Sequence, residues 1–176
     1  MRSIVEAAQN GDLAVNIAAV ISNRPDAAGL TYASEQKIET SLVDHQQFDS
    51  RESFDTALAA TIDQYQPDYV ILAGFMRILT PDFVSHYANR LLNIHPSLLP
   101  KFKGLHTHER ALQAGETEHG ASVHFVTAEL DEGPVILQAK VPVLPEDTAD
   151  SLAARVLEQE HQLYPAAIKK LLQQRE

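Results

Sequence analysis

Asn93 and His95 put a carboxamide and an imidazole two residues apart. In an extended chain alternate side chains share a face, so the two polar groups would lie side by side. An amide N–H can stabilise a developing oxyanion. An imidazole can move a proton near neutral pH or, once charged, act electrostatically. A third candidate is Asp131, on the loop Leu130-Asp131-Glu132-Gly133-Pro134. A carboxylate beside His95 would favour its protonated form. The three groups together suit acyl transfer to an amine, without a covalent enzyme intermediate, because an uncharged amine is already nucleophilic. Each also has a plainer reading: His95 as a structural residue before Pro96, Asn93 and Asp131 as turn residues satisfying backbone groups.

Other polar residues point less clearly. His106 and His108 are two apart and do not share a helical face, no carboxylate completes a site, and His-Glu-x-x-His is absent, so no metal is expected. Ser97 near His95 invites a hydrolase reading, but the Gly-x-Ser-x-Gly elbow is missing. His124, between Val123 and Phe125, either lines the site or packs as a satisfied polar group. Arg77 is either an anion clamp or a surface residue. With neither Gly-x-Gly-x-x-Gly nor a Walker loop, the sequence gives a dinucleotide site no support.

These residues need elements to hold them. The apolar run Tyr69–Ala73 reads as a strand buried on both faces, as in a parallel sheet covered by helices. The loop Gly74-Phe75-Met76-Arg77-Ile78-Leu79 follows it directly. Leu91–Ile94 is a second strand of this kind, delivering Asn93 and His95 at its end. Strands are also expected over Leu13–Ile21, Ile38–Val43, Ala121–Val126 and Val135–Val141. Helices are expected over Ser3–Asn10, Asp26–Ser34 and His108–Ala114. Another should follow Asp49, with Glu52 completing a capping box and Phe54, Leu58, Thr61, Ile62 and Tyr65 inward. A last helix should begin near Thr148, and Pro165 should kink or divide it. The alternation predicts an α/β doubly wound, mostly parallel sheet with helices on both faces, with ligands beyond the carboxyl ends of its strands.

Size and charge narrow the classes. The 176 residues suit one domain over 1–176. The 14 Lys and Arg against 24 Asp and Glu leave a net charge of −10. That argues against nucleic acid as a partner but not against a small anion in a local basic pocket. The chain has no cysteine, which removes disulfides and thiolate chemistry. No apolar run approaches the ~20 residues of a membrane helix, and Met1-Arg2-Ser3-Ile4-Val5-Glu6 has no signal-like apolar core. A cytoplasmic location, with no membrane partner, is the expectation.

Longer motifs add a resemblance. Asn93-Ile94-His95-Pro96-Ser97-Leu98-Leu99-Pro100 resembles the signature of folate-dependent formyltransferases. So do Ala73–Leu79, Gly104-Leu105-His106-Thr107-His108, Gly120–Val126 and Leu130–Ile136, in an order similar to the phosphoribosylglycinamide formyltransferase branch. The likeness runs from about Ser3 to Leu172. It implies a Rossmann-like fold and transfer of a formyl group from 10-formyltetrahydrofolate to the amine of 5-phosphoribosylglycinamide, in purine (IMP) biosynthesis. By motif match Asn93 would bind the formyl oxygen, His95 would be the general acid and Asp131 its partner. Arg51, Met76, Arg77, Ile78 and Leu79 would contact the folate, with Asn93. Pro96 and Glu160 would contact the ribonucleotide. The chain is expected to work as a monomer or homodimer. The resemblance also places Met1 inside the helix that, in the family, follows a first central strand and a Gly-rich phosphate loop. A sheet lacking that strand is therefore expected, in a domain short at both ends. Two other functions share the motifs: a non-catalytic folate-binding remnant, and a 10-formyltetrahydrofolate hydrolase.

Overall fold

A computed structural model describes residues 1–175. Its elements are α1 (Arg2–Gln9), β1 (Val20–Ser22), α2 (Ala28–Glu35), β2 (Thr40–Leu42), α3 (Arg51–Asp63), β3 (Val70–Ile71), α4 (Pro81–His86), β4 (Leu91–His95), α5 (Thr107–Gln113), β5 (Glu118–Phe125), β6 (Val135–Pro142) and α6 (Ala149–Gln173). A short 3-10 turn covers His45–Gln47.

The strands form two groups. β1 and β2 pair parallel, and β3-β4-β5-β6 form a second sheet in that order. β3 and β4 are parallel, whereas β5 joins β4 antiparallel and β6 joins β5 antiparallel. Both parallel pairings are reached through a helix, α2 and α4, and the antiparallel β4–β5 pairing is reached through α5. β5 and β6 are joined without a helix between them, and a short connection between adjacent strands reverses direction.

Helices cover both faces, and the alternation along each strand shows why. Leu91 packs with Phe54, Leu58, Phe83 and Tyr87 of the α3–α4 side. Leu92, the next residue, packs with Leu152, Val156 and Tyr164 of α6. Val70 and Ile71 divide between the same two clusters in the same order. A strand buried on both faces has no polar side to show, and this explains the unbroken apolar runs.

Between β1 and β3 lies a cavity of about 720 Å³, lined by Ala18, Val20, Ile21, Tyr69, Ile71 and the start of α1, among others. Among the described residues the two strand edges that border it pair with no other strand. Val20 donates to Glu39 O and Ser22 accepts from Val43, so the backbone groups of Ile21 between them point the other way, toward the cavity. Val70 donates to Arg90 O and Leu72 to Leu92 O, which leaves Ile71 facing the cavity in the same manner. Among the described residues no strand fills the gap between β1 and β3.

Several boundaries differ from those read from sequence. Leu13–Ile21 is a strand only from Val20, and Tyr69–Ala73 only over Val70 and Ile71. Ile38–Val43 narrows to Thr40–Leu42. Each of these segments borders the cavity or pairs with one that does, and strand structure needs partners on its edges. The cap of α3 is Ser50, whose side chain accepts from Ser53 N while Ser53 returns the bond; Asp49 and Glu52 do not form the box. Pro165 does not divide α6, which runs through it for 25 residues. The missing amide is tolerated where Leu163, Tyr164, Ala167 and Ile168 bury this face around it. Helix α4, with Thr80 as cap and Pro81 at its first position, escaped the sequence reading.

Candidate active site

β4 carries Asn93 and His95, and the antiparallel register sets what they face. Asn93 lies opposite His124 and His95 opposite Ser122. Directly opposed residues on one face are close neighbours, and Asn93 Nδ2 stands 3.5 Å from His124 Nε2. The β5–β6 ladder shifts register at Val123/His124, an irregularity of the kind that re-aims side chains near functional sites.

His95 is 6% exposed. Its Nε2 lies 2.9 Å from Phe102 O; a carbonyl only accepts, so Nε2 carries a proton. Its Nδ1 faces Asp131 Oδ2 at 3.5 Å. Both ring nitrogens therefore look at acceptors. Asp131 is held in turn: its Oδ2 accepts from Gly104 N at 2.9 Å, and its Oδ1 lies 4.0 Å from His124 Nε2. Asp131 has φ +53°, a left-handed geometry that Asp tolerates better than most residues. Gly133 lets the loop pass against the Phe125 carbonyl, where a Cβ would collide with backbone, and Pro134 O accepts from Phe125 N. The turn is thereby tied to the end of β5.

His124 has a defined state. Its Nδ1 lies 2.9 Å from Phe125 O and must donate. Burial holds its pKa below the ordinary value, more than the Asp131 carboxylate raises it. A neutral ring with its proton on Nδ1 presents a lone pair on Nε2. That lone pair faces the Asn93 amide and leaves the second amide N–H free for another acceptor. The sequence left His124 open between lining and packing; the structure places it against both Asn93 and Asp131.

The structure thus brings Asn93, His95 and Asp131 together with His124 between them. The loop after β3 is held from α3. Asp55, 3% exposed, accepts from Thr80 N at the loop's far end. The Arg77 guanidinium lies over the Phe54 ring, 4.8 Å from its centre, and Arg77 Nε is buried without a hydrogen-bond partner. Met76 and Ile78 are 82% and 66% exposed, an apolar surface beside an orphaned donor. Pro96 follows His95, and its carbonyl accepts from Thr107 at the start of α5. Arg51 opens α3 and is exposed, and Glu160 is partly buried midway along α6, where burial raises its pKa. Among the described residues no hydrogen bond ties Arg51 or Glu160 to Asn93, His95 or Asp131. The 720 Å³ cavity is also separate from these three, none of which lines it.

The remaining candidates resolve simply. Ser97 donates its hydroxyl to Lys101 O and is fully buried, so it is not poised as a nucleophile. His106 is exposed, whereas His108 turns to His119, with Nδ1 and Nε2 3.1 Å apart. Burial, then His108, pushes His119 down to about 4. This imidazole pair, the Phe102 carbonyl and the Gly104 amide were missed in sequence. A backbone group carries no residue-type signal, and His119 is separated from His108 by eleven positions.

Comparison with known proteins decides the family. The formyl transferase family profile matches residues 1–168. The chain belongs to the formyl transferase family. Among curated relatives of this formyl transferase, the phosphoribosylglycinamide formyltransferase of Escherichia coli is 56% identical over 168 residues, covering 96% of this chain and 79% of that one. The corresponding enzyme of Coxiella burnetii has a solved structure that superposes with a TM-score of 0.89 at 52% identity, over 96% of this chain and 79% of the other. Glycinamide ribonucleotide transformylase 1 of Symbiobacterium toebii gives 0.91 at 45% identity, over 96% and 79%. Among the described residues no helix of the formyl transferase is long and apolar enough to cross a membrane.

Proposed function

We propose that this chain is a phosphoribosylglycinamide formyltransferase: it moves a formyl group from 10-formyltetrahydrofolate to the amine of 5-phosphoribosylglycinamide. The observation that carries this reading is the convergence of Asn93, His95 and Asp131 in a chain 56% identical to an enzyme of that name. The folate supplies the formyl group. Asn93, its amide oriented by the His124 lone pair, donates its free N–H to the formyl oxygen as negative charge gathers there. The amine nitrogen bonds to the formyl carbon. His95, as an imidazolium beside the Asp131 carboxylate, stabilises the charge on the oxygen, and Asp131 takes up a proton from the amine, directly or through water. As the carbonyl re-forms, the bond from that carbon to the folate nitrogen breaks and the departing nitrogen takes up a proton.

Met76, Ile78 and Leu79 would pack against the folate, and the unpartnered Arg77 Nε fits a ligand that brings an acceptor. Arg51 would reach it from the start of α3. Pro96 and Glu160 would contact the ribonucleotide. Both substrates are small molecules, consistent with a chain whose charge disfavours nucleic acid.

The test is to mix the chain with 10-formyltetrahydrofolate and 5-phosphoribosylglycinamide and follow deformylated folate and formylated product together. The expected result is equal production of the two, dependent on the amine. Formate release without the amine would make the chain a hydrolase instead. Binding of a folate analogue with no turnover would make it a remnant.

A further inference from the structure

The segment Phe102–His106 touches both His95 and Asp131 through its backbone. The Phe102 carbonyl accepts from His95 Nε2 and the Gly104 amide donates to Asp131 Oδ2, each at 2.9 Å. The segment reaches these positions in an uncommon way. Phe102, Gly104 and His106 have φ of +53°, +80° and +57°. Left-handed geometry at a non-glycine residue is strained and persists only where the surroundings impose it. Something must therefore hold these residues, and the chain supplies one side chain in the right place.

Arg110 lies one turn into α5. Its Nη1 donates to Lys103 O at 2.6 Å and to Leu105 O at 3.0 Å, the carbonyls on either side of Gly104. Its guanidinium also lies over the Phe102 ring, 5.5 Å from the centre. Helix α5 is itself anchored beside the site, since Thr107, 3% exposed, donates to Pro96 O at 2.6 Å. One side chain on an anchored helix thus grips the Phe102 ring and the Lys103 and Leu105 carbonyls of the segment that orients His95 and Asp131. Among the described residues Arg110 makes no hydrogen bond or ion pair with either of them.

We infer that Arg110 is a positioning residue for formyl transfer, setting the His95–Asp131 geometry through the Phe102–Leu105 backbone. The role rests on the formyltransferase reading for its effect on rate, but not for its effect on structure. The flat guanidinium is what the geometry uses: it bonds two carbonyls and stacks on a ring at once. A lysine, with a shorter reach and a compact charge, cannot do both.

The experiment compares Arg110→Met and Arg110→Lys with the unaltered chain in three measurements. In steady-state kinetics both variants should lose roughly 10- to 100-fold in kcat, the scale of a small misplacement of reacting groups, with KM for either substrate little changed. In proton NMR the slowly exchanging His95 Nε2–H, protected by Phe102 O, should disappear or move in both variants. Added guanidinium should restore part of the kcat of Arg110→Met. The His95 proton decides whether the variants still fold: if the other buried amide signals stay in place while it alone changes, the clamp is supported. An unchanged His95 proton together with kcat within twofold overturns the proposal, as does a loss of rate that follows general unfolding. An unaltered chain without transferase activity would count against the function, and the His95 proton would still decide the clamp.

Discussion

One half of this molecule has every strand paired and the other half has two strand edges facing a void. In the paired half, β4, β5 and β6 run five to eight residues and hold Asn93, His95 and His124 in a continuous ladder. In the other half, β1, β2 and β3 run two or three residues, and β1 and β3 face each other across the 720 Å³ cavity. The apolar, β-branched composition of Leu13–Ile21 does not make it a strand; Ala121–Phe125, with a partner on each side, is a strand throughout. Pairing sets the length of these strands more than propensity does, as expected where β-propensity reports packing against neighbours. The groups proposed for chemistry all sit in the paired half or on loops tied to it.

If that division is functional, the largest effect should come from the paired half and leave the fold alone. Asn93→Ala and His95→Ala should each lower kcat for formyl transfer by roughly 10²- to 10⁴-fold, the range for losing an oxyanion donor or a proton-transfer group. Thermal unfolding should show both variants folded. Steady-state rates within a few-fold of the unaltered chain would remove the residue concerned from the chemistry.

Hydrogen exchange should draw the boundary directly. Amides of Ala121–Val123 should exchange only with global opening, which for domains of this kind lies at about 5–15 kcal/mol. The amides of Ile21 and Ile71, aimed at the cavity, should exchange far faster. Equal protection of the two groups would mean that the gap closes in solution. A related effect is expected at Tyr164, whose buried hydroxyl donates to Leu72 O and, less closely, to Leu92 O, joining β3 to β4 from α6. Tyr164→Phe leaves the Leu72 carbonyl without that donor and should cost about 1–3 kcal/mol, read by urea unfolding. A neutral result would show that water replaces the hydroxyl from the open side.

The same division explains what could be read from sequence. Asn93 and His95 could be expected side by side because they share a strand face, and Asp131 stood out as their partner only through the family motif. β4 through β6 were legible because their partners lie within the chain. The ends of β1 and β3 were not, because an apolar run does not say whether a neighbour is there to pair with it. The segment from Phe102 to His106 was illegible for another reason. Its contribution is made by a carbonyl, an amide and three left-handed residues, and of these only Gly104 has a residue type that hints at the geometry.

The finest test lies inside the paired half, at His119. Burial pushes its pKa down to about 4, against an ordinary 6.5. The unfolded chain takes up a proton at this residue as pH falls below 6.5, and the folded chain does not until near 4. Stability tied to a neutral His119 is therefore complete above pH 6.5 and is lost as pH falls from there toward 4. His108 and His124, both lowered chiefly by burial, add slope of the same sign. Replacing His119 by Gln removes one titrating group while keeping an amide that can meet His108. The urea midpoint of His119→Gln should fall less steeply between pH 6.5 and 4.5 than that of the unaltered chain. If the two profiles are parallel, His119 takes up its proton in the folded protein at the same pH as in the unfolded chain, and burial does not hold its ring neutral.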